Sequence, residues 1–356
     1  MVAVDSFAIH VTYTCPLSCA HCCFSSSPKN RDRLHFEHIR ETIQEIPRDT
    51  RLVAFTGGEP FLLGKQLDEL VKLATSLGFT TRVVTSAYWA KSPRSALDRL
   101  LQISQAGLSE ISISWDDFHE EFVPFSCIKS AYAAAKELGL TAAINTVQAA
   151  NSRWTAKRIA EELGLPADHE DIFSESPLNL TGRAESELRG AGVRSRRFLG
   201  PCPYVLTGPT LSAKNKLLAC CGVIPDTPRL VLEEDFHPSK MRSAIERGMK
   251  SVLLNWIHLR GPYAVMEWIS REYGIVIPAR EEVGGNCEAC HLLFGTPEIA
   301  RNLDEATARM AHSIASEMHI LDVLGWARPE AMMSLWSDGV VVTDNAPICR
   351  QSPPSI

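Results

Sequence analysis

Apolar, β-rich segments alternate with helical segments along the first half of the chain, and this alternation constrains the fold more than any other feature. After a longer first interval, the strand-like segments recur roughly every 30 residues, with amphipathic helical patterns between them. The segments begin near Phe7, Arg51, Thr80, Glu110, Thr141 and Asp171. Several helical patterns end in glycine, the residue expected just past a helix: Gly78, Gly107, Gly139 and Gly164.

Strand–helix units of this length predict a parallel sheet with right-handed crossover connections. Six such units fit a partial (β/α)6 TIM-like barrel better than a complete eight-unit barrel. In folds of this kind the catalytic residues gather at the carboxyl ends of the strands. The predicted fold class is therefore α/β, a partial (β/α)6 TIM-like barrel followed by a cysteine-rich α+β extension.

Composition excludes several classes of protein. The chain has 356 residues, of which 45% are hydrophobic and 22% charged, as in an ordinary globular protein. Its net charge of −6 argues against a nucleic-acid groove as the main function. No apolar run is long enough to span a membrane, and the first residues do not resemble a secretory signal. We therefore expect a cytoplasmic protein that binds neither nucleic acid nor membrane.

The chain contains 11 cysteines, and they are clustered. A reducing cytosol does not favour a disulfide framework, so clustered cysteines indicate metal binding. Cys15, Cys19 and Cys22 follow the first predicted strand with the spacing CxxxCxxC. Three such thiolates can hold three irons of a [4Fe–4S] cluster and leave the fourth iron open to a substrate or cofactor. A zinc knuckle or unligated core cysteines are the alternatives, but no fourth Cys or His completes a familiar zinc spacing.

A second motif, Gly57-Gly58-Glu59-Pro60, ends the second predicted strand. Glycines at this point allow a ligand to approach the backbone closely. A carboxylate at a strand end can accept hydrogen bonds from an ammonium group. The alternative interpretation is an ordinary strand-to-helix turn.

Together the two motifs resemble those of the radical S-adenosylmethionine (SAM) superfamily, and the resemblance covers about residues 7–184. It implies that Cys15, Cys19 and Cys22 bind a [4Fe–4S] cluster whose fourth iron is chelated by SAM. It also implies reductive cleavage of SAM, abstraction of a substrate hydrogen atom, and a reductant partner such as flavodoxin or ferredoxin.

The resemblance further implies a set of SAM contacts. Glu59, with the backbone of Gly57 and Gly58, would hold the methionine ammonium group, and His21 would pack on the adenine. Thr85-Ser86-Ala87 departs from the Thr-Asn-Gly of many members at the third strand. The remaining candidate cofactor-binding residues lie at or near the later strand ends: Ser86, Ser114, Asp116, Asn145 and Arg183.

Three residues are candidates for catalysis itself. Asp117 or His119 follows the fourth predicted strand and could act as a general base or contact the substrate. A solvated acidic helix start is the alternative for this segment. Cys127 could donate a hydrogen atom to a substrate radical, although a lone cysteine in an apolar helix more often serves packing.

A second group of cysteines follows the barrel and resembles the auxiliary-cluster extensions called SPASM and Twitch. The resemblance implies one auxiliary [4Fe–4S] cluster, with Cys221 able to replace Cys220. A four-cysteine zinc site or buried thiols are the alternatives. The ligands assigned are Cys202, Cys220, Cys287 and Cys290.

The predicted domains are a radical SAM core at 1–184, a linker at 185–200, a SPASM/Twitch-like domain at 201–295, and a helical segment and tail at 296–356. Members with such extensions often modify ribosomally made peptides, which makes peptide modification the expected function. A radical SAM enzyme acting on a small-molecule or cofactor precursor, and a non-catalytic iron–sulfur or zinc protein, are the alternatives. Because the motif begins at Cys15, we expect no N-terminal peptide-recognition domain.

Overall fold

A computed structural model describes residues 4–166, 172–191, 199–224 and 227–324. One sheet with the strand order β6-β5-β4-β3-β2-β1-β7-β8-β9 forms the centre of the molecule. The strands are β1 (Ser6–Thr12), β2 (Leu52–Gly57), β3 (Thr80–Thr85), β4 (Glu110–Ser114), β5 (Thr141–Gln148), β6 (Ile172–Pro177), β7 (Thr210–Leu211), β8 (Leu217–Leu218) and β9 (Val231–Glu233).

Strands β1 to β6 are parallel and lie side by side in chain order. In the described residues β6 forms one edge of the sheet and does not pair with β1, so the barrel is open. The prediction of a partial barrel with six βα units is confirmed. The helices that connect these strands are α1 (Phe36–Glu45), α2 (Lys65–Ser76), α3 (Pro93–Gln105), α4 (Asp117–Glu120), α5 (Phe125–Glu137) and α6 (Ala156–Glu162). Helix α7 (Arg183–Glu187) follows β6.

Local sequence explains where these elements begin and end. Helix α2 buries Leu67, Leu70, Val71 and Ala74, whose spacing of three and four residues gives the helix one apolar face. Each Leu or Val side chain of this face contributes about 1.5–3 kcal/mol when it is fully buried. Helix α3 begins at a capping box in which Ser92 accepts from a backbone N–H. The four glycines predicted at helix ends all have positive φ, between 71° and 101°.

The second part of the chain continues the same sheet. Strand β7 lies parallel to β1, with Ala8 opposite Thr210, and β8 and β9 add antiparallel strands. Five described α-helices follow β9, and most of them contribute to a second apolar core. These helices are α8 (Met241–Met249), α9 (Val252–Arg260), α10 (Pro262–Tyr273), α11 (Asn286–Gly295) and α12 (Pro297–Val323).

Two predicted segments lie partly outside the described residues. The predicted linker 185–200 begins inside α7, and its residues 192–198 lie outside the described residues, as does the tail 325–356. Within the described ranges, no helix combines the length and the apolar character needed to cross a bilayer.

Candidate functional site

A cavity of about 290 Å³ opens at the carboxyl ends of the parallel strands. Its wall is built from the loop after β1, the turn after β2, the ends of β3 and β4, and the segment after β6. Nine of the candidate residues singled out in the sequence come together here. Those that line the cavity are Cys15, Cys19, His21, Cys22, Gly57, Gly58, Ser86, Ser114 and His119.

The loop that carries the three cysteines is folded by its own backbone. The Cys15 N–H donates to the Ser27 carbonyl at 3.1 Å, and the Cys22 N–H donates to the Cys19 carbonyl at 3.1 Å. Burial raises the pKa of the Cys15 thiol to about 12 and also raises the pKa of Cys19. These thiols are therefore protonated at neutral pH until a metal displaces the proton.

The two glycines after β2 allow two stretches of backbone to approach each other. A Cβ at Gly58 would lie 2.2 Å from the Thr14 carbonyl oxygen, and one at Gly57 would lie 2.3 Å from that of Thr12. The Gly58 N–H donates to the Thr12 carbonyl at 2.6 Å. The turn after β2 is thus held directly against the chain that enters the cysteine loop.

Glu59 is fully buried and does not line the cavity. Its carboxylate accepts hydrogen bonds from the hydroxyl groups of Thr85 and Ser86 at 2.8–3.0 Å, and from the N–H groups of Ser86 and Phe61. Burial raises the pKa of this carboxyl, and these hydrogen bonds oppose the rise. In this structure Glu59 orients Thr85 and Ser86, both of which do line the cavity.

Asp116 is buried behind the cavity wall and caps helix α4. Its Oδ1 accepts from the His119 N–H at 3.0 Å and lies 2.8 Å from His119 Nδ1, while Oδ2 lies 3.5 Å from His21 Nε2. Burial alone would raise the pKa of this carboxyl, but His119 and His21 hold the pKa well below its usual range. The carboxylate fixes two imidazole rings that face the cavity.

Asn145 and Arg183 do not line the cavity. The Asn145 amide donates to the Ser112 hydroxyl, one strand away. The Arg183 guanidinium donates to backbone carbonyls of the cysteine loop. Both side chains therefore support the wall of the site from behind.

Two of the three candidate catalytic residues lie away from this cavity. The Asp117 carboxylate accepts from the Arg153 guanidinium at 3.0 Å and from the N–H groups of Arg153 and Trp154. Cys127 is buried and lines a separate cavity on the other side of the cysteine loop. His119 alone of the three lines the site, because two residues of helix turn its side chain about 200° from that of Asp117.

Ser26 and Thr181 are among the polar residues of this wall that sequence reasoning missed. They are 3% and 1% exposed, and neither hydroxyl has a hydrogen-bond partner within the described ranges. The Nδ1 atom of His21 is likewise buried without a partner there. An unpaired buried polar atom costs about 1–3 kcal/mol, so the cavity suits a polar ligand that satisfies these atoms. A hydroxyl residue in a loop carries no sequence signal for this role.

A second cavity of about 180 Å³ adjoins the first and shares Pro177, Asn179 and Val223 with it. Five cysteines line the second cavity: Cys202, Cys220, Cys221, Cys287 and Cys290. Hydrogen bonds with Cys220 and Cys287 hold the pKa of Cys221 well below its ordinary value. Cys221 also interacts electrostatically with Cys202 and Cys290.

The spacing of the thiols argues against a single zinc ion in either cavity. Zinc bound at about 2.3 Å by each thiolate would hold the sulfurs about 3.8 Å apart. Among the described residues, the one group of three or more His, Cys, Asp or Glu whose ligand atoms all lie within 4.8 Å of one another is His21, Asp116 and His119. Among the described residues, no three thiols of either cysteine group lie this close together. A cluster of several metal ions is wider than one ion, so its thiolate ligands lie farther apart.

Comparison with known families decides the identity of the core. Residues 9–150 match the profile of the Radical SAM superfamily. This segment of the chain is a radical SAM domain. The superfamily works with a [4Fe–4S] cluster and SAM, so both cofactors are implied here. The buried thiols and the unpaired polar atoms of the first cavity fit such a pair of groups.

Several known proteins are similar to this chain. YydG of Bacillus subtilis (strain 168), named as a peptide biosynthesis protein, is 29% identical over 260 residues, which cover 69% of this chain and 78% of YydG. The PqqA peptide cyclase of Bradyrhizobium diazoefficiens is 33% identical over 117 residues, which cover 32% of this chain and 28% of the cyclase. Among solved structures, native anSMEcpe with bound AdoMet and Cp18Cys peptide is 13% identical, covers 84% of this chain and 99% of that chain, and gives a TM-score of 0.47.

Proposed function

We propose that this radical SAM enzyme modifies a ribosomally made peptide or protein by abstracting a hydrogen atom from it. The observation that carries the proposal is the cavity at the strand ends, which contains the CxxxCxxC thiols and several unpaired polar atoms and borders a second cavity rich in cysteine. The peptide-related names of YydG and PqqA peptide cyclase support the substrate class.

The cluster would be held by Cys15, Cys19 and Cys22, and SAM would lie against the cavity wall. A reduced [4Fe–4S] cluster with bound SAM supplies a one-electron cleavage that yields a radical able to remove a hydrogen atom. Ser86 and Ser114 offer hydroxyl groups to SAM from the ends of β3 and β4. The unpaired hydroxyls of Ser26, in the cysteine loop, and of Thr181, in the segment after β6, offer further hydrogen bonds.

His119 is the side chain best placed to accept a proton from the substrate. When its Nδ1 donates to Asp116, the Nε2 atom carries the free lone pair. His119 lines the cavity, so this atom belongs to a side chain within reach of a bound molecule. Asp117, held by Arg153, and Cys127, in the separate cavity, are less suited to direct contact with substrate.

An auxiliary [4Fe–4S] cluster in the second cavity completes the proposal. Cys221 interacts with Cys202, Cys287 and Cys290, whereas the cysteines that act on Cys220 are Cys221 and Cys202. This pattern favours Cys221 over Cys220 as the fourth ligand. Cys202, Cys221, Cys287 and Cys290 are therefore the ligands proposed here.

Anaerobic reconstitution tests the metal centres and the chemistry together. Wild-type protein should hold about eight irons with matching sulfide and should convert SAM plus reductant into 5′-deoxyadenosine. The triple variant Cys15→Ala, Cys19→Ala, Cys22→Ala should keep about four irons and lose this activity. In the second site, Cys221→Ala should lose iron, and the matched Cys220→Ala should keep it. Protein that holds zinc without sulfide, or that leaves SAM intact, would refute the proposal.

The substrate class needs a separate experiment. The enzyme is co-produced in turn with each short open reading frame that neighbours its gene, in D₂O. The peptides are then analysed by mass spectrometry and chiral amino-acid analysis. A crosslink, an oxidation or an exchanged α-hydrogen in one peptide supports the proposal. Robust SAM cleavage with every such peptide unchanged would instead favour a small-molecule substrate.

A further inference from the structure

We propose that Arg183 is a positioning residue for the iron–sulfur site, because its side chain fastens the cysteine loop and places a positive charge beside it. The proposal rests on the function proposed above for Cys15, Cys19 and Cys22. It differs from the role that the sequence suggests for Arg183, which is direct binding of the cofactor.

One residue fastens the loop at three points. Arg183 Nη1 donates to the Cys19 carbonyl at 2.7 Å, and Nη2 donates to the Ser26 carbonyl at 2.6 Å. The Arg183 backbone N–H donates to the Cys22 carbonyl at 3.1 Å. The two carbonyls held by the guanidinium lie on either side of Cys22 in the sequence, so its planar fork sets the span of the loop that presents this thiol.

The residue before Arg183 makes the close approach possible. Gly182 has φ +58°, and a Cβ there would lie 2.2 Å from the Cys23 carbonyl oxygen. The start of helix α7 is therefore pressed against the backbone of the cysteine loop. Cys19 and Arg183 are 164 residues apart in the chain, and this contact joins the first βα unit to the last.

The guanidinium also brings an uncompensated charge. Arginine stays protonated at all relevant pH values, and in the described part of the chain no carboxylate forms an ion pair with Arg183. Three thiolates and their cluster carry negative charge, and one added electron increases it. A fixed cation nearby stabilises the reduced state, so it raises the reduction potential of the site.

Arg183→Lys and Arg183→Met separate charge from geometry, and Arg94→Met, which removes an exposed partner of Asp98, is the matched control. Each reconstituted variant is measured by EPR-monitored redox titration and by iron retained against a chelator. Urea denaturation of the cluster-free protein checks that each variant folds.

Arg183→Met should lower the potential and weaken iron binding about 10-fold or more, as expected when a group that orients metal ligands is lost. Arg183→Lys should keep the potential near that of the wild type but still lose iron faster, because one ammonium group cannot hold two carbonyls as a fork does. A folded Arg183→Met variant with the reduction potential and iron retention of the wild type would overturn the proposal for Arg183 and leave the proposed function standing. Wild-type protein without any iron–sulfur signal would overturn the proposed function as well.

Discussion

Substitution of Gly58 by alanine tests how the turn after β2 supports the cysteine loop. Gly58 has no left-handed φ, so the new Cβ introduces a steric conflict and no backbone strain of its own. That Cβ would lie 2.2 Å from the Thr14 carbonyl oxygen, whereas an ordinary contact begins at 3.4 Å. The turn must therefore move by about 1.2 Å away from the chain that leads into Cys15.

This movement weakens two hydrogen bonds, from Gly58 N–H to Thr12 at 2.6 Å and from Glu59 N–H to Thr14 at 3.1 Å. Each is worth about 1 kcal/mol, and the strain of overpacking adds about 1–3 kcal/mol. We expect the free energy of unfolding to fall by about 3 kcal/mol, and the iron content after reconstitution to fall with it.

Urea denaturation of the cluster-free protein, followed by tryptophan fluorescence, measures the first effect, and iron per chain measures the second. The matched control is Gly295→Ala at the end of α11, where a Cβ would meet nothing within 4 Å. That variant should stay within about 0.5 kcal/mol of the wild type. If Gly58→Ala is as stable and as rich in iron as Gly295→Ala, the close approach is not a constraint and the reasoning is wrong.

Three further substitutions follow from the same site. Glu59→Gln places an amide NH₂ among donors that need an acceptor, so the free energy of unfolding should fall by about 1–3 kcal/mol. SAM should also bind more weakly, which equilibrium dialysis measures. Unchanged affinity for SAM would mean that Glu59 does not orient the cavity wall. Asp116→Asn should lower the free energy of unfolding by about 2 kcal/mol at pH 7. Because the pKa of Asp116 is depressed in the folded state, this difference from the wild type should shrink as the pH falls below the ordinary pKa of 3.8. A difference that stays constant from pH 7 to 3 would contradict this. Gly182→Ala should cost about 1 kcal/mol more than Gly139→Ala in urea denaturation, because both have positive φ but only Gly182 meets backbone; equal costs would exclude the clash.

The six parallel strands and their meeting at one edge could be predicted from the sequence, because both depend on local signals, whereas the addition of β7, β8 and β9 to the same sheet could not. Apolar runs, helical periodicity and glycines at helix ends act within a few residues. The motif cysteines and Gly57-Gly58 are also local, and parallel strands bring their carboxyl ends to one edge.

The partners of the polar side chains could not be predicted in this way. Glu59 is an acid at a strand end, but Thr85 and Ser86, which occupy its oxygens, lie on another strand. Asp117 and His119 have almost the same sequence context, and only the rotation of a short helix sends one to Arg153 and the other to the cavity. Cys220 and Cys221 are chemically identical, so tertiary packing alone distinguishes them.

The contact between Arg183 and the cysteine loop sets an order in which the iron–sulfur site can form, because it joins the two ends of the open barrel. The three motif thiols lie within the first 22 residues, yet the side chain that fastens their loop belongs to residue 183, beyond the matched segment 9–150. A nascent chain that has left the ribosome only as far as β5 therefore exposes these thiols before Arg183 is available to hold their loop. We therefore expect iron and sulfide to be incorporated after the sixth βα unit has folded. A fragment ending near residue 150 should incorporate an iron–sulfur cluster poorly.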